Sequence, residues 1–288
     1  MIDFFNLFFS PEMAFFKYAF LTAIVAAVAF GIIGTFVVVK QISSIAGAIS
    51  HCVLGGIGAA LYAQTALGWK WCLPVYGAVV AALLAAIIIG LVSMYAKQRE
   101  DTVIGAVWAI GMATGLMFIA KTPGYVSLES YLFGNILLVS AEDFWITLGL
   151  DIFIIIIVII FFNNFLAVCF DSKFAEIRGM KVKFFYLLLL CLTALTIVLL
   201  VNIVGIIMVI ALLTLPAAIA GQFTKRLWSM MVLAVVLSLV FSTVGMGVSY
   251  NYNLPSGPTI VLLAGSCYIL LIAKKLFPKQ QKSVKTEG

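Results

Sequence analysis

The sequence predicts an all-α polytopic membrane protein of about nine transmembrane helices. Three observations carry that expectation. Of 288 residues, 65% are apolar and 10% charged, whereas a soluble domain carries about 25% charged residues. The charges are bunched between long apolar runs, the pattern lipid imposes because a spanning segment must satisfy its backbone internally. Each run has about the length of a bilayer crossing, roughly 20 residues.

The first run covers about residues 14–39. It follows Asp3 and Glu12, with neither Lys nor Arg before it and no A-x-A-like cleavage site after it, so it is read as a retained span. The second, about 43–66, is the weakest, being rich in Gly and interrupted by Ser50 and His51. The third and fourth cover about 73–96 and 102–120. The fifth, about 144–168, contains Asp151, which is read as lying near the outer interface, the alternative being a wet cavity. The sixth and seventh, about 184–201 and 203–222, are divided by a tight connection near Asn202. The eighth and ninth run over about 229–248 and 258–277.

Lys and Arg set the orientation. With the N-terminus outside, only Lys17, Lys70 and Lys121 remain external, which leaves 14 of the 17 basic residues in the cytoplasm. Among these are Lys40, Lys97, Arg99, Lys173, Arg178, Lys181, Lys183, Lys225 and Arg226. An even span count would place both termini on one side and spoil the partition, so the C-terminus is expected in the cytoplasm. The longest outer loop, 121–143, is acidic through Glu129, Glu142 and Asp143.

The whole chain, 1–288, reads as one transmembrane domain, with 279–288 a basic cytoplasmic tail. The net charge of +6 lies mostly in short connections and the tail, where it orients helices and does not mark a nucleic-acid surface. The five cysteines are scattered without a C-x-x-C pair, as small core residues are and metal frameworks are not. Nothing matches the G-x-x-x-x-G-K-[ST] phosphate loop, so nucleotide chemistry has to come from another polypeptide.

Four stretches hold the candidate functional residues. In the second span Gly47, His51, Gly55 and Gly58 fall on one helix face, and His51 is the chain's single histidine. About eleven residues beyond Lys40, it lies well inside the hydrocarbon. Two readings stand: the glycines allow close packing with His51 bonded to a neighbouring carbonyl, or His51, with Ser50 and Gly47 beside it, lines a cation path. Cys52 points to another face and reads as packing.

The second stretch runs from Phe170 to Gly179. Asp171 suits an N-cap and Gly179 a C-cap, with two turns of helix between. Phe174 and Ile177 share a face, either against lipid headgroups or in a groove of a cytoplasmic partner. Third, Pro216, just after Thr214, lies within an apolar helix and makes either a packing kink or a gating hinge. Fourth, the loop with Asn251 and Asn253 is turn-rich, and its asparagines read as caps.

At these residues the chain resembles the zinc/manganese/iron-type ABC permease family. The resemblance is carried in order by Ile42 to Gly56; by Glu100-Asp101-Thr102-Val103-Ile104-Gly105 with Gly111 and Gly115; and by Tyr131-Leu132-Phe133-Gly134. It continues through Phe170-Asp171, Ala175 and Gly179; through Gly205, Leu212, Leu213, Pro216, Ala217 and Ala220; and through Leu254-Pro255-Ser256-Gly257. It implies a type II ABC importer-like permease in a bacterial cytoplasmic membrane, moving a zinc, manganese or iron ion. Its implied partners are a second permease copy, a cytoplasmic ABC ATPase dimer that binds ATP, and an extracytoplasmic metal-binding protein.

It also implies that His51, Ser50 and Gly47 lie on the metal path and that Phe170, Asp171, Phe174, Ala175, Ile177 and Gly179 meet the ATPase; the hinge at Thr214 and Pro216 remains the alternative to a packing kink. Gly47 and Asn253 stand where many members have aspartate, and losing a hard oxygen ligand weighs against manganese relative to zinc. Of the rivals, a siderophore or cobalamin permease should have more spans and a larger cavity. A gradient-driven transporter needs intramembrane carboxylates, of which the spans offer little beyond Asp151.

Overall fold

The computed structural model describes residues 14–95, 99–123, 132, 134 and 140–276. Among these, every extended regular element is a helix: α1 Ala14–Val39, α2 Ser43–Thr65, α3 Pro74–Tyr95, α4 Glu100–Lys121, α5 Ala141–Ile160, α6 Phe162–Phe170, α7 Ser172–Ile177, α8 Val182–Val204, α9 Ile206–Phe223, α10 Leu227–Tyr252 and α11 Ser256–Leu276. Eight are long and apolar enough to cross a membrane, and the bent pair α5–α6 makes nine if it counts as one span. The tail 279–288, Lys97 and most of the 131–137 motif lie outside the described residues.

Packing follows the logic of a bundle in lipid, where lipid tails are as apolar as leucine and close approach of small residues replaces hydrophobic collapse. Helix α3 makes the point. Its buried side carries Ala78, Ala82, Ala85 and Ala86, while Val80, Leu84, Ile88 and Leu91 point outward. Helix α2 is the most enclosed: it packs on α3 and α4 and also touches α8 and α9. Helix α1 organises the other side, against α5, α9 and α10. Larger side chains fill the gap between these groups, with Phe36 of α1 set edge-on to Phe165 of α6 at 5.5 Å.

Three sequence expectations need correction. The fifth span is not one helix: it breaks at Phe161 and bends by 72°. The break is lined with aromatic edges, Phe161 to Phe185 at 5.5 Å and Phe162 to Trp228 at 6.0 Å, so ring packing holds a corner that periodicity reads straight through. The connection after α8 falls at Gly205, not Asn202, because Gly205 adopts φ +84°, open to glycine at little cost. Asp151 sits in the body of α5, enclosed by the protein. It is 3% exposed, eleventh in α5, with Oδ2 unpaired.

Lys40 and Lys183 meet at one end of the bundle, its basic end. A cavity of about 430 Å³ is lined by Lys40, Lys183, Glu100, Asp101 and Ser172, joining the ends of α1, α3 and α6 to the starts of α2, α4, α7 and α8. Lys183 also sits 4.3 Å from the Tyr95 ring. At the opposite end of α2, Trp69 stacks on Trp71 at 5.9 Å, and exposed Trp at a bundle end is the mark of a headgroup belt.

Candidate metal path and coupling face

Helices α2 and α4 run side by side in the same direction, and glycine fixes their register. A Cβ added at Gly58 would lie 2.7 Å from the Gly115 carbonyl, and one at Gly55 would lie 2.8 Å from that of Gly111. Only hydrogen side chains allow this separation. Cys52, 7% exposed, donates its thiol to the Val107 carbonyl at 3.1 Å, so it is spent on packing. The glycine stripe therefore divides: Gly55 and Gly58 make the close-packed seam, while a Cβ on Gly47 would meet nothing within 4 Å.

His51 lies just before the seam. Its ring stacks on Trp108 of α4, centroids 4.4 Å apart and planes 12° from parallel. The ring is half-buried, and its Nδ1 is enclosed without a hydrogen-bond partner. The carbonyl bond offered by the packing reading is absent at that nitrogen. One turn toward the basic end, Gly47 of α2 has open space, and a Cβ on Gly105 of α4 would likewise meet nothing within 4 Å. Ser50, beside His51, is fully buried and donates its hydroxyl to the Ala46 carbonyl at 2.9 Å. Its oxygen serves its own helix.

Helix α9 continues through Pro216, which is buried. Proline lacks the N–H that would reach the Leu212 carbonyl, and Thr214 donates its hydroxyl to the Ile210 carbonyl at 2.8 Å. A Cβ on Gly34 of α1 would come within 3.0 Å of the Leu213 carbonyl carbon. Leu213, next to Thr214, thus lies in the α1–α9 contact, on a helix that also touches α2.

The coupling stretch folds as its capping residues dictate. Asp171 accepts from the Phe174 backbone N–H at 2.9 Å, satisfying a donor that a helix start leaves free. Gly179 takes φ +80°, and the Met180 N–H donates to the Ala175 carbonyl at 3.1 Å, closing the helix in a Schellman-like turn. Ala175 is 2% exposed and anchors α7, whereas Phe170, Phe174 and Ile177 are 67%, 52% and 84% exposed. Arg178 covers one face of Phe174, 4.7 Å from its centroid. A cavity of about 590 Å³ lies beside these rings, between Phe162, Phe170, Phe174, Lys225, Arg226 and Trp228.

Two residues escaped the sequence argument. Trp108 carried no motif weight, although glycine pairs on α2 and α4 were a signal that the helices approach closely and set His51 opposite it. Lys40 was read for orientation alone, yet it bonds to Val168 and Ser172 at the start of α7. Among the described residues, no three His, Cys, Asp or Glu side chains cluster as a metal centre.

A helical bundle with eight or nine candidate spans among the described residues, a lone imidazole on an open helix pair and a capped, outward-facing helix at its basic end has the architecture of a transporter's membrane subunit. The chain belongs to the ABC 3 transport family, whose model matches residues 12–275. It is similar to a probable metal transport system membrane protein of Chlamydia pneumoniae, 40% identical over 93% of this chain and 92% of that one. It is also similar to the manganese import system permease protein ScaB of Streptococcus gordonii, 35% identical over 94% of both. Among solved structures, a chain of PsaBC from Streptococcus pneumoniae in complex with Fab matches with a TM-score of 0.82 and 34% identity, covering 98% of each chain. The chain is accordingly a multi-pass permease subunit of the bacterial inner membrane and not itself an enzyme.

Proposed function

We propose that this permease moves a divalent transition metal into the cytoplasm, manganese first among the cargoes to be tested and zinc and iron after it. The likeness to the manganese import permease of Streptococcus gordonii supports manganese. The observation that carries the reading is His51: the single histidine, well inside its span, on a helix pair that opens toward the basic end at Gly47 and Gly105. One imidazole is a poor cage for a divalent ion, which takes several ligands. A second copy of the chain across a two-fold axis would supply the matching histidine, so the path is read as lying between two permeases. Transient ligation suits a path, where binding must be weak enough to release.

Energy enters at the basic end in this reading. A cytoplasmic ABC ATPase dimer, which binds ATP, seats on Phe170, Phe174 and Ile177, with Asp171, Ala175 and Gly179 holding their helix in shape. Thr214 and Pro216 form the flexing point of α9, and an extracytoplasmic metal-binding protein delivers the ion at the other end. The chelate-permease alternative has less support, since such a protein should carry more spans than the eight or nine among the described residues.

The deciding experiment is manganese uptake at limiting metal by the assembled transporter with His51→Ala. A loss of most uptake is expected, and full uptake would remove His51 from the path. In parallel, Phe174→Asp with Ile177→Asp should abolish capture of the ATPase by the permease; undiminished capture would refute the docking role.

A further inference from the structure

A histidine that holds a metal is normally oriented by the hydrogen bond its other nitrogen donates to a carboxylate or carbonyl, a bond that also strengthens the ligand. His51 departs from that rule, because its Nδ1 is buried with no partner. Its orientation has to come from elsewhere. The indole of Trp108 lies flat on the imidazole at 4.4 Å, at the close limit of favourable stacked ring pairs. The indole is held in turn: its Nε1–H donates to the Met112 sulfur at 3.3 Å, one turn along α4. That helix is locked to α2 by the glycine seam and by the Cys52–Val107 bond.

We propose that Trp108 is the positioning residue of His51, fixing the plane of the imidazole by stacking where a hydrogen bond would ordinarily do so. The inference deepens the path reading and rests on it. Its chemical consequence is specific. Stacking restricts the ring to one plane, so that Nε2 is presented to the cation without an entropic search. It does not add the electron density that a carboxylate partner feeds into the ring. The ligand is therefore oriented but not strengthened, which suits an ion that must be captured at low concentration and then released.

The test uses the single histidine. Full-length permease in lipid nanodiscs, purified with a histidine-free tag and labelled at histidine, gives one imidazole signal set. The His51 ring protons are expected upfield in the native chain, shifted by the indole ring current. That shift should be lost in Trp108→Leu and partly kept in Trp108→Phe. Identical shifts in all three would overturn the proposal.

Manganese uptake by the assembled transporter supplies the functional arm. Trp108→Leu is expected to raise the apparent KM about tenfold with Vmax within about twofold, and Trp108→Phe to restore KM to within about threefold. A fall in Vmax at constant KM would assign Trp108 to helix packing instead and sink the positioning role. His51→Ala separates the two ideas. If it leaves uptake intact, the path reading fails. If it abolishes uptake while Trp108→Leu alters neither shift nor KM, the path stands and the positioning role falls. Should Trp108→Leu not fold, Met112→Leu frees the indole with little change of shape, and must then move the His51 resonance and raise KM.

Discussion

Lys40 at the end of α1 donates to the Ser172 hydroxyl at the start of α7, 2.9 Å away, and to the Val168 carbonyl at 2.8 Å. The Ser172 hydroxyl bonds to that same carbonyl at 2.8 Å. One ammonium thus closes the corner between α6 and α7 and ties it to the helix on which α5, α9 and α10 pack. Motion imposed on α7 has a polar route into the bundle at this point, alongside the aromatic contacts of Phe36.

Lys40→Met keeps the apolar stem and removes the donors. A hydrogen bond to a charged group contributes about 1.5–3 kcal/mol, so amides of α7 should exchange roughly ten- to a hundredfold faster with the bundle intact. Metal moved per ATP hydrolysed should fall with them, while the ATPase still binds. Unchanged exchange and unchanged coupling in the assembled transporter would show that the corner is held by ring packing alone.

The caps of α7 offer a second measurement. With two turns or fewer, this helix has little intrinsic stability, and the Asp171 bond to Phe174 N–H sets the direction of the exposed rings. Asp171→Ala should cost about 1 kcal/mol of local stability and Asp171→Asn almost none. Affinity for the ATPase, measured by titration, should follow that order. Equal affinity in the two variants would mean that the partner recognises the rings regardless of how the helix is capped.

The glycine seam predicts a contrast between positions that sequence alone treats alike. A methyl at Gly58 would lie 2.7 Å from the Gly115 carbonyl, whereas one at Gly47 meets nothing within 4 Å. Forcing backbones apart costs about 1–3 kcal/mol. Thermal unfolding of the detergent-solubilised permease should therefore register Gly58→Ala as destabilised and Gly47→Ala as near native. Equal midpoints would place the α2–α4 approach wider than described.

Much of this was legible in the sequence because lipid constrains length and polarity so tightly. Helix α1 occupies Ala14–Val39, the range its apolar run gave, and α3 and α10 differ by a few residues at their ends. The α7 caps were equally readable, since Asp171 and Gly179 each act through the local backbone. So was Asn253, which ends α10 in the left-handed region at φ +54°. The bend at Phe161 was not, because aromatic packing from α8 and α10 overrides an uninterrupted apolar run. Nor was the His51–Trp108 pair. Residues fifty-seven apart meet only through the register of two helices, and one sequence encodes that register only through small-residue pairs such as Gly55 with Gly111.

The space at Gly47 leads to the last prediction. Gly47 precedes His51 by one helical turn, so its side-chain position falls on the same face, and a Cβ there has room. Gly47→Asp would put a carboxylate on the face that carries His51, with its Cβ clear of every neighbour. Manganese prefers hard oxygen more than zinc does, so the variant should shift selectivity and not merely strength. In uptake by the assembled transporter, the apparent KM for manganese should fall about tenfold, equivalent to about 1.4 kcal/mol of added binding. That for zinc should change much less. At saturating manganese the variant should turn over more slowly, because an ion held by both groups leaves less readily. If the two metals shift equally, the added carboxylate acts as a general negative charge near the path. If neither shifts while the variant assembles normally, the ion does not pass this face of α2, and the route assigned to His51 has to be redrawn.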